Sequence, residues 1–248
     1  TAGCSEALAA TMLGLLNPGD EVIVFEPFFD FHQVCAVMAG ATPRFVTLRP
    51  PAGNESAFTF DEAELRRAFT SRTRAIIVNT PHNPTGKVFT RAELELIASL
   101  CRQHDVIAIT DEVYEELIYD PALPHISLAT LPGMWDRTIT LSSLGKTFSL
   151  TGWKVGWSIA PPPLTAAVRA AHQFMVFSGA TPLQHGAAAI INHPGGYSAS
   201  LRSQFIANRD LLSACLVEAG LIVFPSPATY FLMADHTPLR LGDDRAFC

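Results

Sequence analysis

Short apolar runs alternate along the first part of the chain with segments whose apolar residues recur every three or four positions. The runs predict strands at 22–25, 45–48, 75–79, 106–110 and 138–141. The spaced segments predict helices that bury one face; these are a first helix through Leu16, then 28–38, 61–69, 90–104 and a short helix after Tyr114. Strands that are apolar on both faces and alternate with helices are typical of a parallel sheet covered on both sides. The pattern therefore predicts an α/β fold, with a polar loop at 49–59.

The pattern changes after Pro161, where helices dominate. Helices are predicted at 164–175, 182–192 and 198–219, and the runs 221–224 and 230–234 predict strands of a different unit. We therefore predict a large domain at 1–190, followed at 191–248 by a bridging helix and the start of a smaller α+β domain. The chain starts at Thr1 rather than at a methionine and stops at Cys248 inside a predicted helix. We expect it to be a piece of a longer chain.

Composition excludes several classes of function. A net charge of −6 offers no basic surface for nucleic acid or for an anionic membrane. No apolar run reaches the roughly 18–20 residues that span a bilayer, and no signal peptide precedes the first helix. The five cysteines form no C-x-x-C pair, and the eight histidines form no tight ligand cluster. These features predict a cytoplasmic protein with reduced thiols and no metal site.

The candidate chemistry collects where the predicted strands end. Ligands of an open parallel sheet bind beyond the carboxyl ends of its strands. Lys146 follows the run 138–141 on a turn of small residues, where a desolvated amine can form a Schiff base. A solvated surface charge is the alternative for such a lysine. Asn83 follows the run 75–79 before a proline, and it either directs its amide at a ligand or closes an Asx turn.

A carboxylate and a phenol follow the run 106–110. Asp111 at the mouth of so apolar a strand needs a cationic partner, because burying a lone charge costs several kcal/mol. Tyr114 lies three residues later on the same side. The remaining candidates suit either a phosphate or an aromatic ring. A phosphate could be bound by the helix start at Gly3, Cys4 and Ser5 and by the donors Ser143 and Lys154. Phe29 offers an aromatic face for a ring.

One cofactor uses all these groups. Pyridoxal phosphate has a phosphate for a helix start, a ring nitrogen that a carboxylate keeps protonated, and a ring oxygen for amide and phenol donors. Its ring stacks on an aromatic side chain, and its aldehyde forms a Schiff base with lysine. The protonated ring withdraws electrons from the reacting carbon, so the carboxylate is chemically required.

The segments that carry these residues resemble a known family. NPTG at 83–86, DEVYE at 111–115 and SSLGKTFSLTGWKVGW at 142–157 are similar to the signature segments of class I aminotransferases of pyridoxal phosphate fold type I. PFFDF at 27–31 and the ending GWKVGW most resemble the kynurenine/glutamine transaminase and cysteine-conjugate β-lyase group, with methionine aminotransferases as near relatives. The resemblance implies a mainly parallel sheet of the seven-stranded type flanked by helices, and a homodimer.

The resemblance also assigns roles to residues. Lys146 would carry the cofactor and shuttle the proton, Asp111 would pair with the ring nitrogen, and Asn83 and Tyr114 would bind the ring oxygen. The remaining residues would hold the cofactor from other sides: Phe29 would stack on the ring, and Gly3, Cys4, Ser143 and Lys154 would hold the phosphate, with Ser5 beside them. Many relatives have arginine in place of Lys154. The family's arginine for the substrate carboxylate would lie beyond Cys248, and its tyrosine for the neighbouring subunit's phosphate before Thr1.

The expected activity is transfer of an amino group from a neutral, aromatic or sulfur-containing amino acid to a 2-oxo acid. Two alternatives share the same core: a C–S β-lyase, and the cofactor-sensing domain of a transcription regulator. A P-loop hydrolase is disfavoured, since the required glycine five residues before Gly145 is Thr140.

Overall fold

The fold is described from a computed structural model, in which residues 1–52 and 56–247 are described. The predicted loop at 49–59 thus lies partly outside the described residues. The strands of the described part are β1 Glu21–Glu26, β2 Thr42–Thr47, β3 Thr73–Asn79, β4 Ile107–Asp111, β5 Thr138–Ser143, β6 Gly156–Ile159, β7 Ile222–Val223 and β8 Ala234–Asp235. Its α-helices are α1 Gly3–Leu15, α2 Asp30–Met38, α3 Glu62–Ala68, α4 Arg91–His104, α5 Leu144–Thr147, α6 Pro162–Met175, α7 Thr181–Asn192, α8 Tyr197–Glu218 and α9 Asp244–Phe247.

One sheet organises the larger part of the molecule, with strand order β2-β1-β3-β4-β5-β6. The first five strands of this order run parallel, and β6 pairs antiparallel with β5. The prediction of a mainly parallel α/β fold is confirmed. In the parallel register Asn79 at the end of β3 lies opposite Asp111 at the end of β4. Two polar side chains therefore reach the same edge of the sheet.

Both faces of the sheet are buried, as the apolar runs predicted. Val22 and Val24 of β1 pack in one cluster with apolar residues of α1, α2 and α6. Ile23 and Phe25 pack in a second cluster with residues of α3 and α4. Because successive side chains of a strand point to opposite faces, this division places helices on both sides of β1.

The structure differs from the prediction in three places. The short helix predicted after Tyr114 is wrong: residues 113–116 form turns, and the next residues exchange backbone hydrogen bonds with a distant segment, Tyr119 N–H to Pro227 O at 2.8 Å and Thr229 N–H to Leu117 O at 2.9 Å. The strand β6 was not predicted, because its strand character comes from pairing with β5. The strands β7 and β8 are shorter than the predicted 221–224 and 230–234.

The helices from α6 to α8 lie close to the predicted ranges. The division into domains at residue 190 stays a prediction. Among the described helices, none combines the length and the apolar character needed to cross a bilayer.

Candidate active site

A cavity of about 400 Å³ lies at the carboxyl ends of β3, β4 and β5, beside the start of α1. All the residues that the sequence predicted for the site line it: Gly3, Cys4, Ser5, Phe29, Asn83, Asp111, Tyr114, Ser143, Lys146 and Lys154. They come from five separate parts of the chain. The sheet topology therefore brings together the residues that were selected for their chemistry.

Asp111 forms the charged floor of the cavity. Its side chain is buried at the end of β4, and Oδ2 lies 3.2 Å from Nε2 of His32 on α2. The thiol of Cys4 lies 3.7 Å from Oδ1. Burial, and then the charge of Asp111, raises the pKa of the Cys4 thiol well above its usual value. The thiol thus stays protonated and does not add a second negative charge beside the carboxylate.

Tyr114 lies three residues beyond Asp111 and is buried. Its Oη donates a hydrogen bond to Oη of Tyr230 at 3.3 Å. Burial is the main cause that raises the pKa of Tyr114, and this hydrogen bond adds to the effect. The phenol is therefore neutral near pH 7 and can act as a hydrogen-bond donor.

Lys146 projects from α5, a single helical turn that begins directly after β5. The side chain of Ser143 starts this turn by accepting a hydrogen bond from the amide of Gly145 at 3.4 Å. The Nζ atom of Lys146 donates to Oη of Tyr230 at 2.7 Å and lies 5.9 Å from the ring centre of Tyr114. The amine is half-buried and reaches the same cavity as Asp111.

The opposite end of the cavity is built to receive an anion. The helix α1 begins at Gly3, with φ of 79°. The amide of Ala2 before it donates to Oε2 of Glu6 at 2.9 Å, whereas Ala2 has no side chain that could cap the amides of the first turn, which remain available. Gly156 makes this arrangement possible: a Cβ there would lie 2.6 Å from the carbonyl carbon of Gly3 and 2.8 Å from the amide nitrogen of Cys4. Lys154 lies alongside, since a Cβ on Gly3 would be 3.6 Å from its Cδ.

Asn83 is positioned by the residue that ends β3. Its backbone amide donates to Oδ1 of Asn79 at 2.7 Å, and Nδ2 of Asn79 donates to the carbonyl oxygen of Asp111 at 2.9 Å. The turn after β3 is thus tied to the end of β4. Asn83 and Asp111 consequently face one cavity as a fixed pair.

The aromatic wall begins at Phe29, the residue directly before α2. Its ring stacks on Phe31 with centroids 5.1 Å apart and meets the ring of His32 edge-on at 5.8 Å. Phe29 and Phe31 both line the cavity. They offer a flat apolar surface above the charged floor.

The donor set fits pyridoxal phosphate. A lysine amine, a buried carboxylate, a phenol and an amide converge on one cavity, and an uncapped helix start with a nearby lysine offers amide and amine donors to a phosphate. The close approach of Gly156 to Gly3 and Cys4 fixes the first turn of α1 beside this end of the cavity. Each group of the cofactor thus has a side chain or backbone partner of matching chemistry.

The sequence of the whole chain, residues 1–248, matches the family described as aminotransferase class I and II. The chain belongs to this family. It is 46% identical over 248 residues to the probable N-succinyldiaminopimelate aminotransferase DapC of Mycobacterium tuberculosis, covering 100% of this chain and 62% of that protein. It is 44% identical over 253 residues to kynurenine–oxoglutarate transaminase 1 of Homo sapiens, covering 97% of this chain and 60% of that protein.

Solved structures agree with this assignment. N-succinyldiaminopimelate aminotransferase from Mycobacterium tuberculosis superposes with a TM-score of 0.95 at 45% identity, covering 100% of this chain and 64% of that one. YbdL from Escherichia coli, identified as having a methionine aminotransferase function, superposes with a TM-score of 0.92 at 35% identity, covering 100% and 63%. The chain thus spans less than two thirds of the length of these relatives.

Sequence reasoning missed several residues of the candidate site. His32 could have been found from its spacing, since it lies three residues after Phe29, in the first turn of α2. Asn79 was included in a predicted strand and not considered as a polar group at its end. Tyr230 had no local signal, because its contact with Lys146 joins residues that are 84 positions apart.

Proposed function

We propose that the protein is a pyridoxal phosphate-dependent aminotransferase that moves an amino group from a neutral, aromatic or sulfur-containing amino acid to a 2-oxo acid. The observation that carries the proposal is the convergence of Lys146, Asp111, Tyr114 and Asn83 on one cavity beside the start of α1. The named transaminases among its relatives support transamination as the reaction.

The cofactor supplies an aldehyde that forms a Schiff base with an amine and a protonated ring that stabilises negative charge on the reacting carbon. Each residue of the chain has a matching task. Asp111 would hold the proton on the ring nitrogen, and His32, with Nε2 at 3.2 Å from Oδ2, keeps its carboxylate in place. Asn83 and Tyr114 would donate hydrogen bonds to the ring oxygen, with Tyr114 turning to the cofactor the proton that it otherwise gives to Tyr230, and Phe29 would pack on the ring.

The phosphate is held by the other end of the cavity. The amides of Gly3, Cys4 and Ser5 lie at the start of α1, where the helix dipole favours negative charge. Ser143 adds a hydroxyl donor and Lys154 adds a positive charge. These groups would hold the ring beside Lys146, whose amine would carry the proton between the two carbons of the transfer in a ping-pong cycle.

The apolar part of the cavity is proposed to select the amino acid that donates the amino group. Phe29, Phe31, Leu150, Val155 and Phe231 line it. These side chains favour an amino acid with an apolar, aromatic or thioether side chain over a charged one. Of the relatives, the kynurenine and methionine aminotransferases support the same preference, whereas the N-succinyldiaminopimelate aminotransferases do not.

The homodimer is also a proposal. Phe174 and Phe177 lie at the end of α6 with 88% and 78% of their surface exposed. Large apolar side chains at this exposure are typical of surfaces that a second protein covers.

A cytoplasmic location is proposed because Cys4, Cys35, Cys101 and Cys215 are free thiols among the described residues, as expected in a reducing compartment. We further propose a large domain at 1–190, with α8 bridging to a smaller domain.

The test begins with the complete natural protein and pyridoxal phosphate. We expect a near-visible absorbance band that is lost in Lys146→Ala, together with covalent labelling of Lys146 after borohydride reduction. A band that persists in Lys146→Ala would mean that another lysine carries the cofactor.

The substrate class needs a separate assay. A panel of amino donors is offered with several 2-oxo acids, and the formation of the new amino acid is scored against release of pyruvate. We expect methionine, phenylalanine or kynurenine to exceed aspartate as donor. Pyruvate release from cysteine conjugates without amino transfer would contradict the proposed reaction.

A further inference from the structure

Tyr230 lies at the centre of the candidate site, although it comes from the loop before β8. Its Oη accepts a hydrogen bond from Nζ of Lys146 at 2.7 Å and another from Oη of Tyr114 at 3.3 Å. A phenol oxygen can accept two hydrogen bonds and donate one. The two acceptor positions are therefore used by the amine and the second phenol, and the proton of Tyr230 is available to a ligand.

The residues directly before Tyr230 are held by hydrogen bonds to the segment that follows Tyr114. Thr229 is buried with φ of 65°, and its amide donates to the carbonyl oxygen of Leu117 at 2.9 Å. Its carbonyl oxygen accepts a hydrogen bond from the hydroxyl of Tyr119. Ala228 forms an antiparallel bridge with Ile118. The loop that carries Tyr230 is thus attached to the segment that follows Tyr114.

The same loop also packs closely on the turn that carries Asn83. A Cβ at Gly86 would lie 2.5 Å from Oγ of Ser226 and 2.9 Å from the carbonyl oxygen of Ala228. Only a residue without a side chain permits this approach. The conformation of the loop is therefore coupled to two parts of the site, the turn after β3 and the segment after β4.

The amine of Lys146 lies near two aromatic rings, those of Tyr114 and Tyr230. Nζ lies 5.3 Å from the ring centre of Tyr230 and 5.9 Å from that of Tyr114, and the two rings meet nearly edge-on at 79°. The ring contacts alone are compatible with many orientations of the amine. The hydrogen bond to Oη of Tyr230 selects one of them.

We propose that Tyr230 is a positioning residue that holds the free amine of Lys146 in its reactive orientation. The inference rests on the proposed function. Lys146 has a free amine in two situations: before it captures the cofactor, and after an amino acid substrate has taken its place. In both, the hydroxyl of Tyr230 keeps Nζ beside Tyr114 and within the cavity.

The rate at which Lys146 captures the cofactor depends directly on the orientation of its free amine. The neutral amine of Lys146 forms a double bond to the aldehyde carbon, and its two protons leave with the aldehyde oxygen as water. No oxidant or reductant is needed. An amine already oriented in the cavity meets the carbon more often than one that rotates freely.

The experiment compares Tyr230→Phe with the natural protein in its complete form, after removal of bound cofactor. The variant retains the ring and loses only the hydroxyl. We expect the rate of covalent capture of pyridoxal phosphate, followed by absorbance, to fall about tenfold, equivalent to about 1.4 kcal/mol of activation free energy. Binding of pyridoxamine phosphate, which has no aldehyde, stays within about twofold, because the hydroxyl acts on the amine and not on the phosphate or ring. In the reconstituted protein, kcat falls with KM for the amino donor unchanged.

The matched control is Tyr197→Phe, which removes a hydroxyl with no hydrogen-bond partner in the described part of the chain. Tyr197→Phe should leave the rate of pyridoxal phosphate capture and the affinity for pyridoxamine phosphate unchanged. Natural capture rates in Tyr230→Phe overturn the proposal, as does an equal loss of pyridoxamine phosphate binding, which would indicate a general structural role. Absence of capture by the natural protein, or equal capture by Lys146→Ala, overturns the proposed function itself.

Discussion

Glu115 provides a quantitative test of the electrostatics behind the site. Its side chain lies between the end of β4 and β5, where Oε1 accepts a hydrogen bond from Ser142 at 2.9 Å. Burial, opposed by that hydrogen bond and assisted by the charge of Glu112, raises its pKa to about 7. In the unfolded chain a glutamate has a pKa of about 4.3. The folded protein therefore holds a proton that the unfolded chain releases over this interval.

Because the pKa of Glu115 is raised in the folded state, the stability of the protein falls as pH rises. Below about pH 4.3 both states are protonated, and above pH 7 both are ionised, so the contribution of Glu115 is constant outside this window. Within it the folded state binds more protons, and stability falls as pH rises. Each pH unit in the window costs up to about 1.4 kcal/mol, so the loss between pH 5 and pH 8 is about 2 to 3 kcal/mol.

The perturbation is Glu115→Gln, which keeps the shape and removes the titration. The assay is the free energy of unfolding in urea at pH 5, 6, 7 and 8, for the variant and the natural protein. We expect the variant to gain about 2 to 3 kcal/mol relative to the natural protein between pH 5 and pH 8. Glu116→Gln is the control, since Glu116 is exposed and pairs with Arg202 at 3.2 Å. If the free energies of unfolding of the natural protein and Glu115→Gln differ by the same amount at every pH, the pKa of Glu115 is not raised in the folded state.

Two further predictions address the cavity directly. Asp111→Asn keeps the cofactor bound but lowers kcat at least about a hundredfold, because the ring loses the charge that holds its proton; near-normal turnover in steady-state assays would show that another carboxylate has this task. Gly156→Ala places a Cβ 2.6 Å from Gly3 and displaces the start of α1, so fluorescence titration should show cofactor binding weakened at least about tenfold. Gly152→Ala, where a Cβ would meet nothing within 4 Å, is the control, and equal binding by both variants would contradict the role of the close approach.

Most of the site could be predicted from the sequence because each residue stands directly after a recognisable strand or at a helix start. Asp111 is the last residue of β4, Lys146 lies in the turn after β5, and Asn83 follows β3 after a short turn. In a parallel sheet, the carboxyl ends of these strands must lie at one edge. Local patterns together with this rule are sufficient to bring the three side chains together.

Local sequence patterns thus specify the α/β class, the strand ends and the residue types that meet there. The remaining features depend on contacts between distant parts of the chain. The helix predicted after Tyr114 does not form, because the backbone of Leu117 and Tyr119 pairs with residues 227–229. The same pairing delivers Tyr230 to Lys146. Hydrogen bonds between residues so far apart leave no periodicity in the sequence, since their partners are selected by the folded backbone and not by local spacing.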